Sequence, residues 1–464
     1  MVFSSILFLF YFLPAILIFY YLAPKSKRNG VLFFGSLFFY AWGEPVYVLL
    51  LIFSTVFNYF IGLRIEKSGE NQKRKKVVLS IGIVLNLALL TVFKYTNFLI
   101  ETLNLVLMHD IPLTKITLPI GISFYTFQTM SYIIDVYRNN AKAQKNYINF
   151  GTYVALFPQL IAGPIVRYNS IDEQLIKRRE TIEGFTKGVI CFSVGLAKKV
   201  LIANNIGLLW ESISTTQTAE MSVFSAWLGV LAYALQIYFD FSGYSDMAIG
   251  LGRMFGFEFE INFNYPYTAK SITDFWHRWH ISLSTWFKEY VYIPLGGNRK
   301  GKARTYLNLL IVWTLTGIWH GAGMNFVVWG LYYAVILILE KSVLSKILEK
   351  IPSVLRIIYS FVLVLIGWVL FASNDIGSAL SYVKIMFAIG NNPLIDGMFI
   401  YNIRSYAVLL IVSIAASFPY AKKLWYKYTN GRNSAAIIAV LIGLLLCTAY
   451  LIDSSYNPFL YFRF

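Results

Sequence analysis

Charged residues and cysteine are both scarce in this sequence, and each scarcity excludes a kind of structure. Only 14% of the 464 residues are charged, against about a quarter in soluble domains, and the mean hydropathy is +0.60. An ordinary soluble domain is therefore excluded. The two cysteines, Cys191 and Cys447, both lie inside apolar runs, so we expect neither a disulfide framework nor a cysteine metal site.

Apolar runs long enough to cross a bilayer recur from one end of the sequence to the other. About 20 apolar residues span the hydrocarbon core as a helix, and lipid leaves every backbone polar group to be satisfied within that helix. The sequence therefore predicts an all-α polytopic integral membrane protein. Residues 1–464 show no linker or soluble region, so we expect a single membrane-embedded domain. Residues 2–23 lack the basic start and the cleavage site of a signal peptide, and are expected to form a first span.

The net charge of +17 at pH 7 has an explanation in membrane topology. Lys and Arg concentrate in cytoplasmic loops, and here they gather in alternate loops while the intervening loops contain almost none. This alternation predicts a multi-pass protein with both termini outside the cytoplasm. It also accounts for the charge without a nucleic-acid partner.

Two apolar stretches are interrupted by helix-breaking residues, and counting whole and broken segments gives about eleven helical elements. A Gly-Glu-Pro sequence at 43–45 divides the stretch 31–63 into a hairpin. The stretch 150–168 is interrupted by Pro158 and by a Gly-Pro pair at 163–164, and basic residues flank both of its ends. Such a re-entrant segment is tolerated only when it is buried in protein or lines a wet cavity. We therefore expect the helices to surround a central chamber.

Three of the four histidines fall within the stretch 271–325, at His277, His280 and His320, whereas His109 lies far upstream. Histidine is the side chain that exchanges protons near neutral pH. A long apolar chain that collects its few histidines in one stretch is expected to carry out its chemistry there.

The first part of this stretch has the pattern of a helix start. Ser271 or Asp274 supplies an N-cap, and on a continuous helix Asp274, His277 and His280 would share one face. The tryptophans between them suit a membrane interface. An aromatic belt with polar tips remains an alternative explanation for this segment.

His320 follows the apolar run 307–319 and is flanked by glycines, with Asn325 just beyond. It is expected about 20 Å along a helix that starts near Arg304. Ionisable groups at membrane depth usually face a bundle interior or a water-filled cavity, and the glycines permit a close backbone approach or a break in the helix. A structural core histidine is the alternative.

Four further ionisable residues lie in apolar surroundings. Lys198 and Lys199 fall within one predicted span, and Asp240 and Asp246 within and just after the next. Intramembrane carboxylates are expected to be functional, or else to be structural partners of a nearby Lys or Arg. The residues alone leave three kinds of chemistry open for the histidines. These are metal ligation, which is disfavoured because no Glu completes an H-E-x-x-H motif, a transporter's proton relay through His320, Asp240 and Asp246, and general-base catalysis of acyl transfer.

Several ordered motifs together resemble the membrane-bound O-acyltransferase (MBOAT) family, and most closely its bacterial polysaccharide and peptidoglycan O-acetylation branch, which includes alginate O-acetylation. The motifs are FYTFQTMSYIIDVYR (124–138), FPQLIAGPI (157–165), YFDFSGYSDMAIG (238–250), DFWHRWHISLSTWFKEYVYIPLGGNRKG (274–301), TGIWHGAGMNFVVWG (316–330) and the NPFLYF ending. The run IPLGGNR favours acetyl transfer over the D-alanyl transfer to teichoic acid found in a sister branch.

The resemblance implies roles for individual residues. The family's two catalytic histidines correspond to His280 and His320, while His277 occupies a position where the family often has Arg or Asn. Asp240, Asp246, His277 and Asn325 are supporting candidates. The family picture implies an acyl thioester, such as acetyl-CoA, that enters from the cytoplasm, and no permanently bound cofactor or metal. Basic residues that would meet the phosphates of this donor are Lys198, Lys199, Arg299 and Lys300.

The resemblance also implies where the acyl group goes. It would cross a bacterial plasma membrane to an extracytoplasmic carbohydrate polymer, with the help of a separately encoded hydrolase-fold partner protein.

Overall fold

The computed structural model describes residues 1–161, 163–218, 220–429, 433–453 and 456–458, and every regular element within them is a helix. The prediction of an all-α membrane protein is confirmed. Within the described residues, seven helices are long and apolar enough to cross a membrane, or eight if the bent pair Gly397–Ser405 and Ala407–Ala416 forms one span. The larger figure of about eleven elements counts broken and shorter segments, and it stays a prediction, as does the central chamber.

The chain divides into two compact units, residues 1–192 with 244–260 and residues 193–243 with 261–464. Two long helices, Ile182–Ala197 and Val223–Met254, contain two of the three points where the chain passes between the units, and the third lies between residues 260 and 261. The single domain over 1–464 stays a prediction.

The first unit is built around a buried helix, Ile122–Tyr137, that packs against Val48–Lys67 and Gln72–Leu90. Asn58 and Asn86 join these two neighbours by exchanging amide hydrogen bonds of 3.1 and 2.8 Å. Polar pairs of this kind hold helices together in lipid, where apolar contacts gain little over lipid tails. The other helices of the unit are Leu13–Leu22, Arg28–Gly43, Thr96–Leu107, Tyr147–Ala155, Phe157–Leu160 and Tyr168–Ile176, with π-helical turns at Phe8–Phe12 and Thr91–Tyr95.

Both predicted interruptions are present in the first unit. The hairpin breaks between Arg28–Gly43 and Val48–Lys67, and the stretch 150–168 breaks after Ala155 and again after Leu160. The first break follows from Pro158, which lies in the first turn of Phe157–Leu160 and could not lie in the interior of a helix that continued from Ala155. The span expected over residues 2–23 is shorter in the structure. Its helix covers Phe8–Leu22, which is shorter than the seven candidate spans.

The second unit contains the histidine stretch and is dominated by the packed helices Lys302–His320 and Met324–Leu339. Gly317 and Gly330 let the two backbones touch. A Cβ on Gly317 would lie 2.3 Å from the carbonyl oxygen of Phe326, and one on Gly330 would lie 2.3 Å from that of Trp313. The two helices therefore form one rigid pair.

The other helices of the second unit complete its frame. Besides the bent pair Gly397–Ser405 and Ala407–Ala416, they are Asn204–Ser214, Ile272–Trp276, Ile281–Phe287, Ser345–Leu348, Ser353–Ala372, Ile376–Met386, Tyr420–Thr429 and Asn433–Asp453, with a 3-10 helix at Pro266–Thr268 and π-helical turns at Lys198–Ala203, Lys288–Tyr292 and Glu340–Leu344. The NPFLYF ending extends beyond the described residues, which stop at Pro458.

Candidate active site

His320 is the last residue of the helix Lys302–His320, and the glycines that follow interrupt the helix until Met324, which is one of the two outcomes that the sequence allowed. Its side chain is 4% exposed. Three aromatic rings surround it, those of Trp319 and Trp329 at 5.0 Å and that of Phe371 at 5.3 Å between ring centroids. The histidine therefore lies at a rigid helix end inside an aromatic wall.

His280 is reached by a different backbone path from the predicted one. The expected continuous helix is wrong: the helix ends at Trp276, and His280 has φ +46° and precedes the next helix, Ile281–Phe287. A left-handed conformation is uncommon for a residue other than glycine and is found where the surroundings enforce it. Asp274 and His280 therefore do not share a helical face. The predicted cap is confirmed, because the Ser271 hydroxyl accepts from the backbone N–H of Asp274 at 3.0 Å.

Asn262 fixes the tautomer of His280. Its Oδ1 accepts from the backbone N–H and the hydroxyl of Ser282, at 3.1 and 2.9 Å, which identifies it as an acceptor. The Nδ1 of His280 lies 3.3 Å from the same oxygen, so this nitrogen must carry the proton to make a hydrogen bond. In the neutral ring, Nε2 then has the lone pair. The arrangement presents Nε2 of His280 as a base or hydrogen-bond acceptor.

Burial keeps the ring of His280 neutral. The side chain is 1% exposed and lies outside the candidate spans. Burial lowers the pKa of its imidazole to about 3, because the charged form is poorly solvated there. At neutral pH the ring of His280 is therefore uncharged, and its Nε2 is suited to accept a hydrogen bond.

The two histidines contact the same indole. The ring of Trp319 lies 6.2 Å from that of His280 and 5.0 Å from that of His320. Phe241 closes the other side of His280 at 4.7 Å. The structure thus brings together the two residues that the family pattern marked.

His277 is separated from this pair. Its side chain is exposed, while His280, three residues later, is buried. Asp274 pairs with Arg278 at 2.7 Å, and Asn325 donates to the carbonyl oxygen of Ser373 at 2.9 Å. These contacts give Asp274 and Asn325 structural partners.

The carboxylate of Asp240 also has a structural partner. It lies 2.8 Å from the ammonium group of Lys199, and both side chains are 3% exposed. Lys199 contacts the carbonyl oxygen of Pro458 as well. The ion pair with Lys199 gives Asp240 a nearby lysine as its partner, which is the structural alternative that the sequence left open. Asp246 is half-buried and belongs to the first unit.

The four basic residues assigned to the donor do not form one surface. Lys199 is buried in its ion pair, and Lys198 is half-buried in the same π-helical turn. Arg299 and Lys300 are exposed in the turn before the helix Lys302–His320. Of the four, these last two are the most accessible to a phosphate.

Sequence reasoning missed Asn262, Trp319 and a set of buried donors beside the histidines. Trp276 and Trp329 have indole N–H groups, and Tyr333 a hydroxyl, with no hydrogen-bond partner among the described residues. The three rings lie within 5.6 Å of one another. Buried polar groups usually find partners, so these donors are available to an oxygen that enters the site. The one signal of these donors in the sequence was the number of tryptophans in the segments WHRWH and WHGAGMNFVVWG. Within the described residues no group of three His, Cys, Asp or Glu side chains is placed to hold a metal ion.

The fold and site define a class of polytopic helical membrane protein with two buried histidines beside a common indole. The sequence profile of MBOAT, the membrane-bound O-acyltransferase family, matches residues 89–371. The chain belongs to this family and is a membrane-bound O-acyltransferase.

Curated relatives support the assignment. The chain is 45% identical to the probable alginate O-acetylase AlgI of Pseudomonas aeruginosa over 84% of its own length and 75% of the relative's. It is 33% identical to the peptidoglycan O-acetyltransferase of Helicobacter pylori over 100% of its own length and 98% of the relative's. It is also 28% identical to the teichoic acid D-alanyltransferase of Bacillus subtilis over 55% and 69% of the two chains.

Proposed function

We propose that this acyltransferase takes an acetyl group from a cytoplasmic thioester, such as acetyl-CoA, and passes it across the membrane for O-acetylation of an extracytoplasmic polysaccharide or cell-wall polymer. The observation that carries the proposal is the pair of buried histidines, His280 and His320, which both lie beside Trp319. Acyl transfer to a hydroxyl needs a base that is neutral at the working pH. We assign that base to His320, with the neutral ring of His280 nearby as a hydrogen-bond acceptor.

The reaction balances with these residues alone. The acceptor hydroxyl attacks the thioester carbonyl, a C–O bond forms, and the C–S bond breaks. The imidazole of His320 takes the hydroxyl proton, which then passes to the departing thiolate sulfur. His280, with Nε2 as the acceptor, orients the hydroxyl or relays the proton. The N–H groups of Trp276 and Trp329 are suited to stabilise the oxyanion that develops on the carbonyl oxygen.

Access to His320 requires movement of its aromatic neighbours. With the side chain 4% exposed, a thioester reaches the imidazole only after Phe371 or a neighbouring tryptophan ring turns aside. Closure around the reacting groups would keep water from hydrolysing the thioester. Arg299 and Lys300 are proposed to receive the donor's phosphates on the cytoplasmic side.

The acceptor and the partner protein follow from the relatives. The two relatives are named for the O-acetylation of alginate, as a probable activity, and of peptidoglycan. We propose a polymer of this kind as the final acceptor, a separate extracytoplasmic hydrolase-fold protein as the partner that completes transfer, and a bacterial inner-membrane location with both termini outside the cytoplasm. A pull-down from detergent-solubilised membranes tests for the partner.

D-alanyl transfer and proton-coupled transport are two other functions, and both have less support than acetyl transfer. D-alanyl transfer to teichoic acid is the function of a more distant relative, and the higher identity to O-acetylating relatives favours acetyl. A transporter with a proton relay through His320, Asp240 and Asp246 is disfavoured because Asp240 is held by Lys199.

The decisive experiment uses purified protein in nanodiscs with labelled acetyl-CoA and, in parallel, an acylated carrier protein. The wild type should consume one of these thioesters, and His320→Ala should lose about 10²–10⁴ in rate. His109→Ala is the matched control. Because His109 is exposed on a loop, this variant should transfer the acyl group at the wild-type rate. Equal rates for His320→Ala and the wild type would reject the assignment, and proton uptake by proteoliposomes without thioester consumption would favour the transporter.

A further inference from the structure

Glu340 is a buried carboxylate that the mechanism above does not use. It is 3% exposed and begins the π-helical turn Glu340–Leu344 that continues the helix Met324–Leu339. Burying a carboxylate is costly unless hydrogen bonds satisfy it. Its partners therefore indicate why it is there.

Four donors surround the Glu340 carboxylate, and three of them come from the start of one helix. Oε1 accepts from the backbone N–H of Ile272 at 2.7 Å, and Oε2 accepts from the backbone N–H and the hydroxyl of Thr273 at 2.9 and 2.7 Å. Tyr359 adds a longer bond of 3.3 Å from its hydroxyl. Hydrogen bonds to a charged group are shorter and stronger than neutral ones.

The carboxylate completes the capping of the helix Ile272–Trp276. The first N–H groups of a helix have no partner within it. Here the first two bond to Glu340 and the third bonds to the Ser271 hydroxyl. A helix of five residues has little stability of its own, so these contacts fix where it begins and in which direction it runs.

The direction of this helix determines where His280 lies. Beyond Trp276 the chain makes one tight turn and enters the left-handed conformation of His280, where backbone bonds from Asn264 to Arg278 and from Ile281 to Asn262 hold it. Glu340 itself belongs to the helix that meets the helix of His320 at Gly317 and Gly330. It therefore connects the segment carrying His280 to the rigid pair carrying His320.

We infer that Glu340 is a positioning residue that sets the placement of His280 relative to His320. The inference rests on the proposed function for its catalytic consequence, but its structural part stands without it. A 1 Å misplacement of a reacting group can cost about a hundredfold in rate, so the catalytic effect of losing the carboxylate should exceed its effect on substrate binding.

The test is Glu340→Gln, with Glu349→Gln as the matched control. Glutamine keeps the size but turns a donor toward the N–H groups of Ile272 or Thr273, whereas Glu349 is exposed and the same change there should be silent. Hydrogen exchange of the amides of residues 272–280 is measured without substrate, and kcat and KM for the thioester are measured separately. We expect faster exchange over 272–280 with unchanged exchange over 353–372, and a kcat that falls about ten- to a hundredfold while KM stays within about twofold.

Thr273→Val provides a milder second variant, because it removes one donor and leaves the carboxylate in place. It should change exchange and kcat in the same direction by a smaller factor. Unchanged exchange in Glu340→Gln overturns the inference whatever the activity. Faster exchange with an unchanged kcat in an active enzyme overturns the positioning role and leaves the proposed function intact. A wild type that transfers no acyl group rejects the proposed function, while the exchange data still decide whether Glu340 holds the segment.

Discussion

His320 and His280 contact the same indole, but the chain builds their two supports in different ways. His320 ends a helix that is locked to its neighbour by backbone contact at Gly317 and Gly330. His280 lies in a left-handed turn between two short helices, and polar groups from other segments hold that turn in place. The position of His320 depends on two glycines without side chains, and that of His280 depends on several hydrogen bonds. A single substitution at a glycine should therefore cause a large loss of activity, whereas the loss of one hydrogen bond should cause a smaller one.

The largest expected effect comes from removing the histidines themselves. His320→Gln and His280→Gln should each lower the rate of acyl transfer by about 10²–10⁴. If the two rings act on one proton path, the double variant should be about as slow as the slower single variant, because residues that act as a unit are strongly non-additive. Steady-state rates on labelled thioester measure this. Fully multiplicative losses would show that the histidines act independently, and would contradict a shared path.

The glycine contact is the next most sensitive point. A Cβ at position 330 would lie 2.3 Å from the carbonyl oxygen of Trp313, which is backbone and cannot turn aside. Gly330→Ala must therefore separate the two helices, and overpacking of this kind costs about 1–3 kcal/mol or more. We expect a lower thermal midpoint and a loss of transfer activity larger than the loss of folded protein.

Gly443→Ala is the control for that change. Gly443 also lies within an apolar helix, but a Cβ there meets no atom within 4 Å. Because alanine is the better helix former, this variant should be as stable as the wild type or slightly more so. Equal destabilisation of both variants would mean that a cause other than the backbone contact at Gly330 explains the result.

The sequence predicted the support of His320 better than that of His280, for a physical reason. Apolar length and flanking glycines are local signals, so a helix interruption beside His320 was among the outcomes that the sequence indicated. The turn at His280 depends on Asn262 and Glu340, which lie 18 and 60 residues away in the chain, and a periodic pattern cannot register such partners. The i, i+3, i+6 spacing of Asp274, His277 and His280 was therefore read as a helix that the structure breaks.

The same limit applies to charge. The sequence placed Lys199 and Asp240 in apolar spans, but it could not tell a functional carboxylate from a paired one, because pairing depends on side-chain direction in the folded protein. Trp319 was visible in the sequence, yet only the fold shows that it contacts both histidines.

A substitution at Asn262 should change the pKa of His280 and with it the pH dependence of activity. In the wild type the pKa of about 3 leaves the ring neutral throughout the physiological range, so His280 should contribute no acid limb to the activity profile between about pH 5 and 8. Asn262→Asp would place a carboxylate beside Nδ1 and raise the pKa, because a nearby negative charge favours the imidazolium. As pH falls through the raised pKa, Nε2 becomes protonated and activity should fall. A pH–rate profile measures this, and an identical profile for both proteins would contradict the assigned contact.

Asn262→Ala is the companion variant, because it removes the acceptor without adding charge. It should lower activity at every pH through loss of the fixed tautomer, without introducing a new acid limb. A limb that appears in both variants would point to a group other than His280.

The smallest expected effect comes from the cap at the far end of the same segment. Ser271→Ala removes the hydroxyl that accepts a hydrogen bond from the Asp274 N–H at 3.0 Å. Loss of an N-cap lowers the free energy of unfolding by about 0.5–2 kcal/mol. Because Glu340 still holds the two preceding N–H groups, the helix should keep its start, and kcat should change less than in Glu340→Gln. Thermal unfolding and the transfer rate, measured on the two variants together, rank the contacts. A larger kcat loss for Ser271→Ala would mean that the local cap, and not the distant carboxylate, determines where His280 lies.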